Sequence, residues 1–146
     1  MSFPQRTATI KVRSFELDSF GHVNNAVYLQ YLEVARCEYM EQAGLSFSDF
    51  DAWKRYPVVV HASLDYRQAA QFGDTLLVKG GVSKWGRLRW TMQYCITNAQ
   101  TGAVVMDAEQ VFVFLDEYGQ PVPVPNRFRV AFDSVTDPDT EEDQER

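Results

Sequence analysis

One segment limits what this 146-residue chain can fold into: residues 26–44, AVYLQYLEVARCEYMEQAG. It reads as a helix that opens after Asn24 and Asn25, both good caps, and stops at Gly44, a natural helix end. Its apolar residues are Val27, Tyr28, Leu29, Tyr31, Leu32, Val34, Ala35, Tyr39 and Met40, and they cover most of the circumference. A helix apolar nearly all round is a buried helix, so other parts of the chain must wrap it.

The wrapping material is extended. Ala8, Ile10 and Val12 alternate with Thr9, Lys11 and Arg13, the pattern of a half-buried strand. A short helix or loop is expected at 48–55. Four long strands follow at about 58–66, 75–84, 88–97 and 104–116, with turn signals at 72–74, 85–86 and 98–102. The short link after residue 97 demands an antiparallel hairpin. Gly80 and Gly81, inside a strand pattern, read as a bulge. Pro121, Pro123 and Pro125 are expected to end regular pairing near Gly119. Residues 126–132 read equally as a short helix or an extended strap. The expected class is α+β: a long central helix wrapped by a curved antiparallel sheet of about five strands.

Composition narrows the function classes. With 45% hydrophobic and 23% charged residues, residues 1–132 read as one soluble globular domain. The net charge of −6 resides entirely in residues 133–146, an acidic tail expected to be disordered. The neutral remainder argues against nucleic acid as a partner. No apolar run reaches the ~20 residues of a membrane span, and the first residues lack a secretory h-region. Two cysteines, Cys37 and Cys95, make no disulfide framework and read as inert core thiols, so the expected location is cytoplasmic. His22 and His61 are the only histidines, and neither has ligands clustered around it, so no metal site is expected.

Chemistry concentrates between the first strand and the long helix. Asp18-Ser-Phe-Gly-His22-Val-Asn24-Asn25 places a carboxylate, an imidazole and two carboxamides just before a helix N-terminus. The first helical turn offers unpaired N–H groups and a positive dipole end, suited to a developing oxyanion. An ionised Asp there can act as nucleophile or general base. The same residues also fit a purely structural role, with Asp18 in an Asx turn, an Asn capping the helix and His22 packed. Glu33 and Arg36, three residues apart, are expected to form an ion pair.

Residues 12–36, with Asp18, Gly21, His22, Asn24, Asn25, Tyr28, Leu29, Tyr31, Leu32, Glu33, Ala35 and Arg36 in place, resemble the opening motif of hotdog-fold acyl-CoA thioesterases. The likeness is to the 4-hydroxybenzoyl-CoA thioesterase-like branch that includes the long-chain acyl-CoA thioesterases. A second block, Val58-Val59-Val60-His61-Ala-Ser-Leu64-Asp65-Tyr66-Arg67 and then Gly73-Asp74, agrees with it. The resemblance covers about residues 5–125. It implies a helix held in an antiparallel sheet, a homodimer or homotetramer, and active sites at the dimer interface.

It also implies roles. Asp18 matches the family's catalytic carboxylate, and the helix start around 25–28 would polarise the thioester carbonyl. Substrate contacts would come from His22, Asn24, Asn25 and Tyr28, with His61 either facing the pocket or packed in its strand. Arg67, Lys84, Arg87 and Arg89 are the bases placed near coenzyme A phosphates. Some members carry a Tyr four residues before the Asp and a His seven after it. Here those positions hold Ser14 and Asn25, so a histidine at 25 takes no part. The implied activity is hydrolysis of acyl-CoA to a free acid and coenzyme A, within lipid metabolism and without a cofactor. The alternatives are a thioesterase acting on acyl carrier protein and a non-catalytic acyl-CoA-binding or sensor module.

Overall fold

Alternation at the start of the chain gives β1 (Arg6–Lys11), in which every second side chain is buried. A 3-10 turn at Ser14–Glu16 and a loop lead into α1 (Val27–Gln42), then α2 (Phe47–Trp53). Four long strands follow: β2 (Tyr56–Tyr66), β3 (Thr75–Trp85), β4 (Arg89–Asn98) and β5 (Val104–Leu115). A two-residue β6 (Pro121–Val122) and α3 (Asn126–Asp133) complete the computed structural model, which describes residues 2–133. The acidic tail expected beyond Asp133 lies outside the described residues. Asp133 itself, grouped with that tail by composition, is the last residue of α3 and accepts a 2.9 Å bond from Trp85 Nε1.

All strands join one antiparallel sheet in the order β1-β3-β4-β5-β2, with β6 added to β5. Six strands therefore stand where about five were expected. Pairing does not end near Gly119: Pro121 and Val122 sit opposite Leu115 and Phe114. A two-residue strand needs few donors, so a proline is tolerated there.

The glycine pair is not a bulge either. Gly80 and Gly81 stay in register with Tyr94 and Gln93, and the irregularity falls between Val82 and Lys84. The glycines serve close approach instead. A Cβ on Gly81 would collide with the Pro4 carbonyl oxygen, and one on Gly80 would lie 2.8 Å from the Tyr94 ring.

α1 lies on one face of the sheet. Tyr39 donates a 2.6 Å hydrogen bond to the Val78 carbonyl, and Arg36 Nη1 donates one of 2.6 Å to Gln110 Oε1. Arg36 thus reaches down to the sheet, with its guanidinium over the Phe112 ring. The expected Glu33–Arg36 ion pair is not formed; the salt bridges among the described residues are Arg13–Glu16 and Arg67–Asp107. Beneath α1, Trp90 stacks between Phe112 and Phe114 and meets Phe128 of α3 at 5.1 Å.

The helix is not buried all round. One stripe, Tyr28, Tyr31, Leu32, Ala35 and Tyr39, is buried, whereas Leu29 and Val34 are 44% and 40% exposed. A single sheet covers a single face, and the remaining apolar flank is left uncovered within one chain.

Three tyrosine hydroxyls sit in this interior. Burial pushes Tyr31, Tyr39 and Tyr94 well above the ordinary tyrosine range, and the Glu16 carboxylate raises Tyr31 further. The folded state therefore holds these protons more tightly than the unfolded chain. Their contribution is complete below the ordinary tyrosine pKa of about 10 and is lost as pH rises above it. Thermal unfolding followed from pH 8 to 11 should show the melting temperature falling only above about pH 10. Seven tyrosines contribute to the absorbance change and Tyr66 and Tyr118 are exposed, so its full amplitude should be reached only with unfolding. Full amplitude in a protein that is still folded would show that the buried hydroxyls are not held.

Candidate active site

The loop entering α1 is folded by its own polar groups. Leu17 and Val23 form an isolated bridge, the Asp18 amide donates to the His22 carbonyl at 2.7 Å, and Gly21 adopts φ +80°. The Asp18 carboxylate closes the turn: Oδ1 accepts from the Phe20 amide at 2.9 Å and the His22 amide at 3.1 Å. Asp18 is exposed. It thus makes the Asx turn of the structural reading and still presents a carboxylate to solvent.

Asn24 organises the helix entrance. Its Oδ1 accepts from the Ala26 amide and its carbonyl from the Val27 amide, both at 2.9 Å. No side chain caps the N-cap position itself, so the first-turn amides that follow Val27 are left for another acceptor. A buried carboxylate fixes this loop to the helix. Glu16, 6% exposed, accepts from Tyr31 Oη and from the Arg13 amide, both at 2.8 Å, and its carbonyl accepts from the Asn24 amide.

An open cleft of about 380 Å³ collects Asp18, His22, Asn25, Tyr28, Tyr66 and Arg67. Tyr66 was not singled out in the sequence, although it stands inside the second family block. Its hydroxyl donates to the Asn25 carbonyl at 2.9 Å, and its ring meets Tyr28 edge-on at 5.4 Å. Burial raises the Tyr28 hydroxyl above its usual range. Arg67 pairs with Asp107 at 3.2 Å.

His61 does not join this cluster. It lies opposite Val111, whereas the neighbouring Gln110 and Phe112 face α1, so His61 points to the other side of the sheet. An extra residue, Val60, shifts the register between Val59 and His61 and turns the histidine away. Lys84, Arg87 and Arg89 surround the β3–β4 turn, at the opposite end of the sheet from Tyr66. Among the described residues no group of His, Cys, Asp or Glu is placed to hold a metal ion. Burial pushes the Cys37 and Cys95 thiols up, away from the reactive thiolate.

Comparison with known proteins gives the same outline. A family model described as the thioesterase-like superfamily matches residues 12–132. The chain belongs to this superfamily. It is 36% identical over 107 residues to the long-chain acyl-CoA thioesterase FadM of Escherichia coli, covering 73% of this chain and 80% of that one. It is 28% identical over 123 residues to the chloroplastic acyl-acyl carrier protein thioesterase ATL3 of Arabidopsis thaliana, covering 84% of this chain; the match spans 65% of that relative's length. Among solved structures, the probable thioesterase YbaW of Escherichia coli superposes with a TM-score of 0.77 at 31% identity, covering 87% of this chain and 96% of the other. Slr0204, a 1,4-dihydroxy-2-naphthoyl-CoA thioesterase from Synechocystis, superposes with a TM-score of 0.83 at 22% identity, over 90% and 98% of the two chains. The hotdog architecture of this superfamily is the arrangement described above. No helix among the described residues is long and apolar enough to cross a membrane.

Proposed function

We propose that the protein hydrolyses acyl-CoA thioesters, with Asp18 as general base or nucleophile. The observation that carries this reading is an exposed carboxylate, fixed at one oxygen by two amides, in the same cleft as the start of α1. The thioester carbonyl lies against the first-turn amides of α1, which stabilise the negative charge that develops on its oxygen. Asp18 either takes a proton from the attacking water or adds to the carbonyl itself. The carbon–sulfur bond then breaks, and coenzyme A leaves as the thiol after protonation; on the nucleophilic route water then cleaves the acyl–Asp18 anhydride, releasing the acid and restoring the carboxylate. Arg67, at the rim, is the base best placed for a phosphate. Release of free thiol from acyl-CoA by the purified protein tests the reading. Absence of release from any acyl-CoA favours the binding-module alternative, and release only from acyl carrier protein favours the other enzyme.

The reading includes a homodimer. β2 is an 11-residue strand at the end of the sheet, paired on one side only, with Val59 and Val60 42% and 49% exposed. A long apolar edge of this kind pairs with another chain. Light scattering should give at least twice the chain mass, and Val60→Lys should shift the protein toward monomer. A monodisperse parent monomer would contradict the assembly.

A further inference from the structure

The uncovered flank of α1 has a use. Glu33, Arg36, Cys37 and Met40 repeat at helical spacing beside the buried stripe and close an apolar cavity of about 140 Å³. Its opposite walls are Trp90 and Met92 of β4, Phe112 of β5, Phe128 of α3 and, at the sheet edge, Val59 of β2. Arg36 is held by Gln110 and Phe112, which leaves Glu33 as the charged wall residue without a bond to the floor. A space of this size holds roughly one benzene ring's worth of carbon.

One strand face runs between the cavity and the Asp18 cleft. Past the Val60 bulge, Ala62, Leu64 and Tyr66 lie opposite Gln110, Ala108 and Met106, on the helix side. Val59 lines the cavity and Tyr66 lines the cleft, so the face of β2 between them runs from one to the other. The exposed Leu29, one turn before Glu33, forms the matching flank of α1. From the Tyr66 end to the Val59 end is on the order of 20 Å at strand rise. A one-ring acyl group bound at Asp18 stops far short of the cavity. An extended alkyl chain advances only about 1.25 Å per carbon, so an unbranched chain of roughly sixteen carbons is needed to cover that strand length along this apolar track.

Resting on the acyl-CoA reading above, we infer that this cavity receives the distal end of a long, unbranched acyl chain whose thioester lies at Asp18, and so sets chain-length preference. The test is thiol release from acetyl-, hexanoyl-, lauroyl-, palmitoyl- and benzoyl-CoA. We expect kcat/KM to rise at least tenfold from hexanoyl to palmitoyl, with benzoyl-CoA no better than hexanoyl. Val59→Phe, at a half-exposed wall position, fills the cavity and should lower kcat/KM for palmitoyl-CoA at least tenfold while changing hexanoyl-CoA less than twofold. Cys37→Phe fills it from the helix side and answers the same question if the edge substitution disturbs assembly. Benzoyl- or hexanoyl-CoA as best substrate, or equal effects of both variants on short and long chains, overturns the inference while leaving Asp18 hydrolysis intact. If no acyl-CoA is turned over, the proposed reaction fails instead. Calorimetric binding of palmitoyl-CoA then decides the cavity separately: at least tenfold weakening by either filling variant supports it, and unchanged binding overturns it.

Discussion

Asp18→Asn is expected to lower turnover by roughly 10²–10⁴-fold, the range for a positioned acid–base group. The substitution removes charge and basicity but keeps the acceptor that closes the loop. Asn Oδ1 can take the same two bonds from the Phe20 and His22 amides, so the loop and the melting temperature should be unchanged. The Michaelis constant should change little, because acyl and phosphate contacts lie elsewhere. Thiol-release kinetics and a thermal melt on the same sample separate loss of chemistry from loss of fold. Retention of more than about a third of the parent rate, far above the range for a positioned acid–base group, would place the chemistry on another residue. A single turnover in heavy-oxygen water then separates the two roles of Asp18. Label in the Asp18 carboxylate identifies the nucleophile, because water that opens the acyl–Asp18 anhydride at the Asp carbon leaves its oxygen there, whereas a base acquires none.

Periodicity made the elements legible because each is decided locally. β1, α1 and the four long strands follow from alternation, helical spacing and turn residues, and their ends lie within about two residues of those signals. The carboxylate loop was legible for the same reason: Asp18, Gly21 and Asn24 each satisfy a neighbouring backbone group. What was hidden depends on distant pairing. Nothing local in β2 says that it joins β5 at the edge instead of β3, which follows it in the chain.

The bulge at Val60 was hidden for a related reason. A single extra residue in a run of valines leaves alternation unreadable, yet it decides which side chains face the helix. Without it His61 would oppose Gln110 on the helix side, and Tyr66 would turn away from Asn25. The structure has the reverse, which withdraws a histidine from the cleft and supplies a tyrosine. The helix flank was misread because apolar residues on a helix report burial without saying what buries them. Leu29 and Val34 are not covered by the sheet of their own chain.

Glu16→Ala should separate loop position from loop chemistry. The Glu16 carboxylate accepts from Tyr31 on α1 and from the Arg13 amide, while its carbonyl accepts from Asn24 at the helix entrance. Truncation leaves the buried Tyr31 hydroxyl without its acceptor and frees the segment that carries Asp18. The stability loss should be about 2 kcal/mol, the range for a buried donor left unsatisfied, or a fall in melting temperature of roughly 4–8 °C. Glu16→Gln is the control. Both short bonds go to Oε1, which an amide oxygen replaces, so this variant should recover most of the stability and rate. In the alanine variant kcat should fall more than tenfold while KM for the same acyl-CoA changes less, since a displaced Asp18 affects the chemical step before binding. Parent-like rates in both the alanine and glutamine variants would mean that Glu16 supports the fold alone. Loss of rate in both, with stability kept in the glutamine variant, would give its charge a part in the reaction.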